Sequence, residues 1–531
     1  MSALTRPSPT AEPQTQSPRD DLKYRRRWWT LAVLSLSLLI IGLDNTVLNV
    51  AIPTLQEHFS ASASELQWMV DAYVVVYAGL LLTLGAAGDR YGRRKALQAG
   101  LLIFGVSSFW AAYAGSANHL IAARAVMGIG GAAIMPSTLS VLSDVFPREE
   151  RGRAIAIWSG VAGLGIGLGP LFGGFLLEHF WWGSIFLINV PIVIIALILG
   201  RFLVPESRDE HAHPLDIPGA ILSISAVSML VYAIIEAPNS GWLDTRTLLS
   251  FTVAIALGIA FFWRELHTEY PMLDLAFFRN PRFSFGAAAI GVSFFALFGV
   301  VFANTQYLQF VHGYTALEAG VRLIPIAFGI MVGAGNSNRF VTRAGTTRVV
   351  VAGMLIVAAV MASIGFWQVD TPYWVIGTTL FFLSVGMGNV MAPSTDAVMG
   401  AVPEAKAGVG SAMNDVVRQV AGAFGVAIIG SILNTAYTRN MHDATAALPP
   451  QAAEPAGNSV GAALVVASRI GGQAGEALAA AGRAAFTDAM NIAAFVAAAI
   501  ALVGAVIVAR NLPAHHLPLA EEPLAGDDAL P

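Results

Sequence analysis

Long apolar runs recur along the whole chain, separated by short polar stretches, and a helix needs about 20 apolar residues to cross a bilayer. Fourteen such runs are predicted as membrane helices: 28–51, 66–87, 96–114, 119–143, 153–177, 183–204, 216–236, 246–263, 283–311, 319–340, 347–368, 373–398, 406–433 and 486–509. An even number puts both termini on one side. The positive-inside rule chooses that side, because alternate loops beginning with the N-terminal tail hold most of the arginines, including Arg25, Arg26, Arg27, Arg90, Arg93, Arg94, Arg148, Arg151, Arg153 and Arg343. The other short loops hold only Arg246, so both termini are expected in the cytoplasm. Residues 1–27 form a tail that is rich in Pro, Ser and Thr to residue 22 and is expected to be disordered. The apolar run after Trp29 is too long for a secretory signal and lacks a small-residue cleavage site, so it reads as a helix that stays. Between 434 and 485 the chain turns to Ala, Gly and Pro, which predicts a long external loop, partly helical. Residues 510–531 form a second cytoplasmic tail.

Composition supports a membrane class. The chain is 56% hydrophobic and 12% charged, with mean hydropathy +0.65, whereas a soluble chain carries about a quarter charged residues. With no cysteine there is no disulfide framework or thiolate metal site, and the ten histidines fall in loops, tails or helix ends. No catalytic metal centre and no cofactor are expected. None of Lys23, Lys95 and Lys406 follows a glycine, so a phosphate-cradling Gly-Lys-Ser/Thr loop is absent. ATP hydrolysis within this chain is therefore excluded as an energy source, which leaves an ion gradient or a partner subunit.

The segment Gly85-Ala86-Ala87-Gly88-Asp89-Arg90-Tyr91-Gly92-Arg93-Arg94-Lys95 sets four cations and one acid directly against apolar sequence. A weaker echo, Thr342-Arg343-Ala344-Gly345-Thr346-Thr347-Arg348, follows the tenth predicted helix as the first segment follows the second. The first segment resembles the signature loop between helices 2 and 3 of major facilitator superfamily transporters, with Ala87 where that motif usually has leucine. Leu43-Asp44-Asn45-Thr46-Val47-Leu48-Asn49-Val50-Ala51-Ile52-Pro53 is similar to the opening motif of the fourteen-helix drug:proton antiporters of the EmrB/QacA type. Ala123-Arg124-Ala125-Val126-Met127-Gly128 with Pro136 looks like their arginine motif, and Gly160 through Gly169-Pro170-Leu171-Phe172-Gly173-Gly174 resembles the stretch that marks exporters within the superfamily. The resemblance implies an all-α membrane protein of the major facilitator fold. Its pseudo-symmetric six-helix halves would be 28–204 and 283–509, with two inserted transmembrane helices in 205–282, fourteen in total.

Several residues are candidates for chemistry. Ionisable groups at membrane depth are costly and usually face a pathway. Helix rise places Asp44, Asp71 and Arg124 at one depth in the outer half. They are expected to form a proton site in which the two acids change protonation and Arg124 tunes them, with a static ion pair as the alternative. Asp415 lies near the midplane, where it either pairs with Arg418 at i,i+3 or accepts a cationic substrate with Asn304, Gln306 and Asn389. Asp89, Arg90, Gly92 and Arg93 read as a latch against a helix N-terminus of the other half, with plain topological anchoring the alternative for Arg93 and Arg94. Gly165, Gly169 and Gly173 repeat at four-residue spacing, allowing close helix approach, and Pro170 bends their helix. Together they are expected to gate against Gly329 and Gly333 of the tenth helix, or merely to pack tightly.

The expected function is proton-coupled export of amphipathic organic compounds across a bacterial cytoplasmic membrane, with no enzymatic step and no nucleic-acid partner. The alternatives are a dedicated exporter of one natural product, siderophore or lipid and, more distantly, a receptor or scaffold that moves nothing.

Overall fold

The computed structural model describes residues 22–208, 214–271, 273, 275–402, 407–446 and 448–513, and the elements among them are all helical. The expected terminal tails, apart from their helix-proximal ends, lie outside the described residues. The first half comprises α1 (Leu22–Phe59), α2 (Ala63–Tyr91), α3 (Arg93–Ala112), α4 (Ala117–Val145) and α5 (Arg148–His179), then the short α6 (Ser184–Leu187), which leads into α7 (Asn189–Leu203). Two further helices follow, α8 (Ile217–Ser240) and α9 (Thr245–His267). The second half starts with α10 (Pro281–Gln306), prolonged by a π-turn at Tyr307–Val311. Next, α11 (Ala316–Arg322) and α12 (Ile324–Ala344) form one broken span, followed by α13 (Thr346–Ile364), α14 (Tyr373–Met399) and α15 (Ala407–Thr445). After α16 (Pro450–Asn458) and α17 (Val460–Ile470), α18 (Gly472–Asn511) returns the chain to the face it started from.

Among the described residues 13 helical stretches are long and apolar enough to span a membrane. The 32 residues of α5 extend about 48 Å at 1.5 Å per residue, enough for a fourteenth. Large apolar side chains such as Ile195, Ile198, Phe202, Ile259, Phe262, Val503 and Val506 stay exposed on the bundle surface, as lipid-facing positions require.

Local chemistry repeats between the halves. A capping box starts α2, where Glu65 N donates to Ser62 Oγ at 3.3 Å and Ser62 N donates to Glu65 Oε2 at 2.8 Å. Thr315 and Glu318 make the same reciprocal pair at the start of α11. The turn after α2 passes through Gly92 at φ 123°, and the turn after α12 through Gly345 at φ 84°. Both are left-handed conformations that favour glycine. Gly100 of α3 lies against the Gly130 carbonyl of α4, and Gly353 of α13 lies against that of Gly386 of α14. Ser62, Gly92 and Gly100 precede Thr315, Gly345 and Gly353 by one constant spacing, so the structure shows a duplication that the loop echo only hinted at.

Glycine faces act mainly within each half. Gly165, Gly169 and Gly173 of α5 lie against the backbone of Leu39, Gly42, Leu43 and Val47 of α1. Gly329 and Gly333 lie against Phe381, Val385 and Gly388 of α14. Helices 5 and 10 do meet, α5 packing on α11 and α12, but not through the expected glycines: these close α5 on α1 and α12 on α14, because a ridge without side chains fits the nearest backbone. The halves meet further along, at the face away from the termini. There Gly320 of α11 abuts the Pro170 carbonyl, and Gly174 abuts the backbone of Ala316 and Leu317. Gln309 Nε2 donates to the Val50 carbonyl at 2.9 Å, Gln56 Nε2 donates to Ser459 Oγ, and Val50 is buried in the second half's core. At the terminal face the described polar contacts stay within one half or reach its own linker, as in Arg27 to Glu150 at 2.7 Å. The bundle is closed away from the termini.

The pair α8–α9 sits beside the seam between the halves, with α8 packed on both α2 and α15 and α9 packed on α8. Ser64 Oγ of α2 donates to the Ile235 carbonyl at 3.3 Å, and Ser431 Oγ of α15 donates to the Ile234 carbonyl at 2.5 Å. Asn239 extends this bridge, donating to Ser64 Oγ at 2.7 Å and accepting from Asn434 Nδ2 at 3.4 Å.

The segment 434–485, expected as a partly helical external loop, is helical over most of its described length. α15 continues to Thr445, α18 begins at Gly472, and α16 and α17 fill much of the space between them. Alanine is the best helix former, and its small side chain lets Ala463 and Ala467 bury against neighbouring helices. A scarcity of large apolar residues therefore signalled close packing rather than irregular chain.

Gly174→Leu should force the seam open, since its side chain would meet the backbone of α11. In this cysteine-free chain, Val50→Cys should resist a membrane-impermeant thiol reagent applied to the face away from the termini, and should become reactive when combined with Gly174→Leu.

Candidate functional site

Arg124 is among the largest fully buried side chains, and four helices build its surroundings. Its Nη1 donates to Asp44 Oδ2 of α1, its Nε donates to the Met69 carbonyl of α2 at 3.0 Å, and its Cζ lies 4.4 Å from the centroid of the Tyr73 ring. The other Asp44 oxygen accepts from Asn189 Nδ2 of α7 at 3.4 Å, and that amide also reaches Ser108 Oγ of α3 at 3.4 Å. A buried charge has to be paired and hydrogen-bonded, and here both members are.

The structure joins Asp44 to Arg124 but sets Asp71 apart. Asp71 is fully buried with neither oxygen hydrogen-bonded, and the Arg124 contacts go to Asp44, Met69, Tyr73 and Met127. The expected three-residue site is thus an ion pair plus a separate acid on α2, because similar depth does not place two side chains on facing surfaces. Asn189 and Tyr73 were not anticipated. An isolated amide inside the apolar run Phe186-Leu187-Ile188-Asn189-Val190 was the available signal for the first.

Asp415 and Arg418 contact each other, with Arg418 Nη1 3.4 Å from Asp415 Oδ1. Arg418 also donates to Thr395 Oγ1 at 3.0 Å and lies over the Phe294 ring at 5.6 Å. Both side chains keep some exposure, 14% for Asp415 and 25% for Arg418. Asn304 and Gln306 do not group with Asp415. α10 and α15 start from the same face, and at 1.5 Å per residue Asn304 lies about 35 Å along its helix and Asp415 about 12 Å along its own. Asn304 faces a small cavity inside the second half, lined by Trp367, Ile429, Met490 and Ala494. Gln306 Nε2 donates back to the Phe302 carbonyl at 3.2 Å. Asn389 Nδ2 donates to the Val385 carbonyl at 2.9 Å, and its Cβ packs beside Gly353.

In the loop after α2, Arg93 Nε pairs with Asp89 Oδ1 at 2.7 Å. Arg94 lies 3.6 Å from Glu206 just after α7, and Arg93 N donates to the Ser207 carbonyl at 2.9 Å. Arg90 lies over the Tyr91 ring at 5.7 Å. In place of the expected latch partner in the other half, the described contacts of Asp89 and its neighbouring arginines are Arg93 and the α7 linker.

Near the seam, His312 stacks on Tyr314 at 5.3 Å and meets the Tyr307 ring edge-on at 4.9 Å. Burial first, then the Arg322 cation, hold its imidazole below the ordinary 6.5, with Asp370 opposing.

The Major Facilitator Superfamily profile matches residues 34–426. The chain belongs to this family of transporters. It is 37% identical over 484 residues to the multidrug efflux pump LfrA of Mycolicibacterium smegmatis, covering 91% of this chain and 96% of that protein. The methyl viologen resistance protein SmvA of Salmonella typhimurium is 34% identical over 476 residues, covering 88% and 94%. The tetracenomycin C resistance and export protein of Streptomyces glaucescens is 33% identical over 409 residues, covering 77% and 76%. Among solved structures, a bacterial homologue of the human lysosomal transporter Spinster, inward-facing and unoccupied, superposes with a TM-score of 0.66 at 18% identity, covering 92% of this chain and 98% of that one. That likeness establishes the shared fold.

Asp44→Ala strands a buried guanidinium and should destabilise the protein by about 3–5 kcal/mol, whereas the double variant Asp44→Leu/Arg124→Met should regain much of that loss. Thermal unfolding in detergent measures both. His312 has a folded-state value below its unfolded one, so its contribution is complete above 6.5 and is lost as pH falls below it. From pH 7.5 to 5.5, wild type should therefore lose more thermal stability than His312→Gln, by up to about 1.4 kcal/mol per pH unit.

Proposed function

We propose that this chain is a proton-coupled antiporter that exports amphipathic organic compounds, lipophilic cations among them, across a bacterial cytoplasmic membrane by alternating access. The observation that carries the proposal is the buried Asp44–Arg124 pair in the core of a two-half transporter closed at one face. Relatives named as multidrug efflux and methyl viologen resistance proteins support the substrate class, and the positive-inside bias supports cytoplasmic termini. The closed face is then the outer one, and the described state faces inward.

Asp44 takes up a proton from outside when the seam opens and releases it to the cytoplasm. Asp71, with both oxygens free of hydrogen bonds, is the second proton carrier. Asp415, only partly offset by Arg418, attracts cationic substrates from the cytoplasmic side. Asp89 and Arg93 form a latch that engages the other half when the cytoplasmic ends close, and Gly174 and Pro170 carry the outer gate. A charge moving through 100 mV is worth about 2.3 kcal/mol, so a proton crossing roughly 150 mV supplies about 3.5 kcal/mol. At 1.4 kcal/mol per tenfold, that sustains a gradient of a neutral compound on the order of 300-fold. Export of a single natural product is the second reading, favoured by the likeness to the tetracenomycin C export protein.

Inverted vesicles energised by respiration should accumulate a lipophilic cation dye with wild type, and should stop when a protonophore is added or Asp44 is replaced by Asn. Full gradient-dependent uptake by Asp44→Asn would remove Asp44 from the mechanism. A folded wild type that moves no member of a broad dye and drug panel, but does move one natural product, would decide for the dedicated exporter.

A further inference from the structure

Arg124 has one partner on α1 and two on α2. Asp44 supplies the opposite charge, while α2 supplies the Met69 carbonyl and the face of Tyr73. Among the described residues Arg124 of α4 is the charged group that faces Asp44. Asn189 of α7 meets it as a neutral amide, and the Tyr73 phenol of α2 is the nearby titratable group. Protonating Asp44 removes the charge on the α1 side of the guanidinium and leaves both α2 partners in place. The balance of attraction on Arg124 then shifts toward α2, and toward Tyr73 in particular, since a cation over an aromatic face interacts strongly when both are desolvated.

Tyr73 is well placed to pass that shift on. Its ring stacks on Tyr77, one turn along α2, with centroids 5.7 Å apart and planes 24° apart. Its hydroxyl is buried without a hydrogen-bond partner, so the ring is held by its faces and not by its tip. Tyr77 is fully buried with its ring against Gly131 of α4, on the helix α2 that packs on α15, which carries Asp415 and Arg418. One line of contacts thus runs from the Asp44–Arg124 pair through Tyr73 to Tyr77, and the helix that carries both tyrosines packs along α15.

We infer that Tyr73 is a positioning residue for coupling: through its ring face on Arg124 and its stack on Tyr77, it conveys the protonation of Asp44 to the substrate-facing acid Asp415. This inference rests on the proposed antiport. Protonation draws Arg124 onto Tyr73, the stacked tyrosines shift α2 against α15, and cation affinity on the other side of the seam falls. By reciprocity, a cation bound at Asp415 favours loss of the proton from Asp44.

The test uses the purified full chain and the fluorescent cation rhodamine 6G, with binding measured at pH 6 and pH 8 and proton release followed in weak buffer. In wild type the apparent Kd should rise about tenfold on acidification, and binding should release protons. Tyr73→Leu should bind at pH 8 within about threefold of wild type, but its pH dependence should fall below about twofold and its proton release should vanish. Tyr73→Phe, which keeps the ring face, should behave as wild type. Should Tyr73→Leu fail to fold, Tyr77→Leu breaks the same stack and carries the same expectation. Wild-type pH dependence in the leucine variant overturns the inference, as does equal loss in the phenylalanine variant, which would transfer the role to the hydroxyl. If wild type binds the dye with neither pH dependence nor proton release, the antiport reading itself fails.

Discussion

A guanidinium enclosed in a lipid-embedded bundle needs its charge balanced where it sits, and around Arg124 that requirement organises the first half. Asp44 comes from α1, a carbonyl and an aromatic face from α2, and Asn189 steadies Asp44 from α7. Removing one partner from such a site is far more disruptive than never having built it. Protonation would remove only the charge of one partner and leave its shape, which is the basis of the proton response proposed for this site.

The moving parts follow from where backbones come closest. Within each half, glycine faces bring α1 to α5, α3 to α4, α12 to α14 and α13 to α14 at near backbone contact, which makes each half a stiff body. Between the halves the backbones come closest at one face, around Pro170, Gly174 and Gly320, while α2 packs along α15. Two stiff bodies joined along a limited seam can rock, and the direction of opening is set by the position of that seam.

Two additions shape it. The helix α8 is hydrogen-bonded through its backbone carbonyls to both halves at the closed face, so the inserted pair is a brace across the seam and not a loose linker. The segment between α15 and α18 lays α17 over the same region, where Ser459 meets Gln56 of α1.

The span count, the loop charges, the duplication and the ionisable residues of interest could all be read from the chain. Each is a property of neighbours in sequence: twenty apolar residues make a span anywhere, and an arginine at membrane depth demands a partner whichever helix provides it. Which residues face each other was not legible. Asp71 shares a depth with Arg124 yet lies off its contacts, Asn304 and Asp415 are about 20 Å apart along parallel helices, and Gly165 meets α1 instead of the tenth helix. The helices within the Ala-rich segment 434–485 were hard to bound for a related reason, since small residues weaken a hydropathy signal while favouring helix. The sequence by itself determined a fourteen-span membrane chain of two repeats with a buried Asp–Arg requirement. Helix rotation and tilt, settled only when all helices pack at once, decided that Asp44 answers Arg124, that the Tyr73 ring takes the α2 side of the guanidinium, and that the halves close away from the termini.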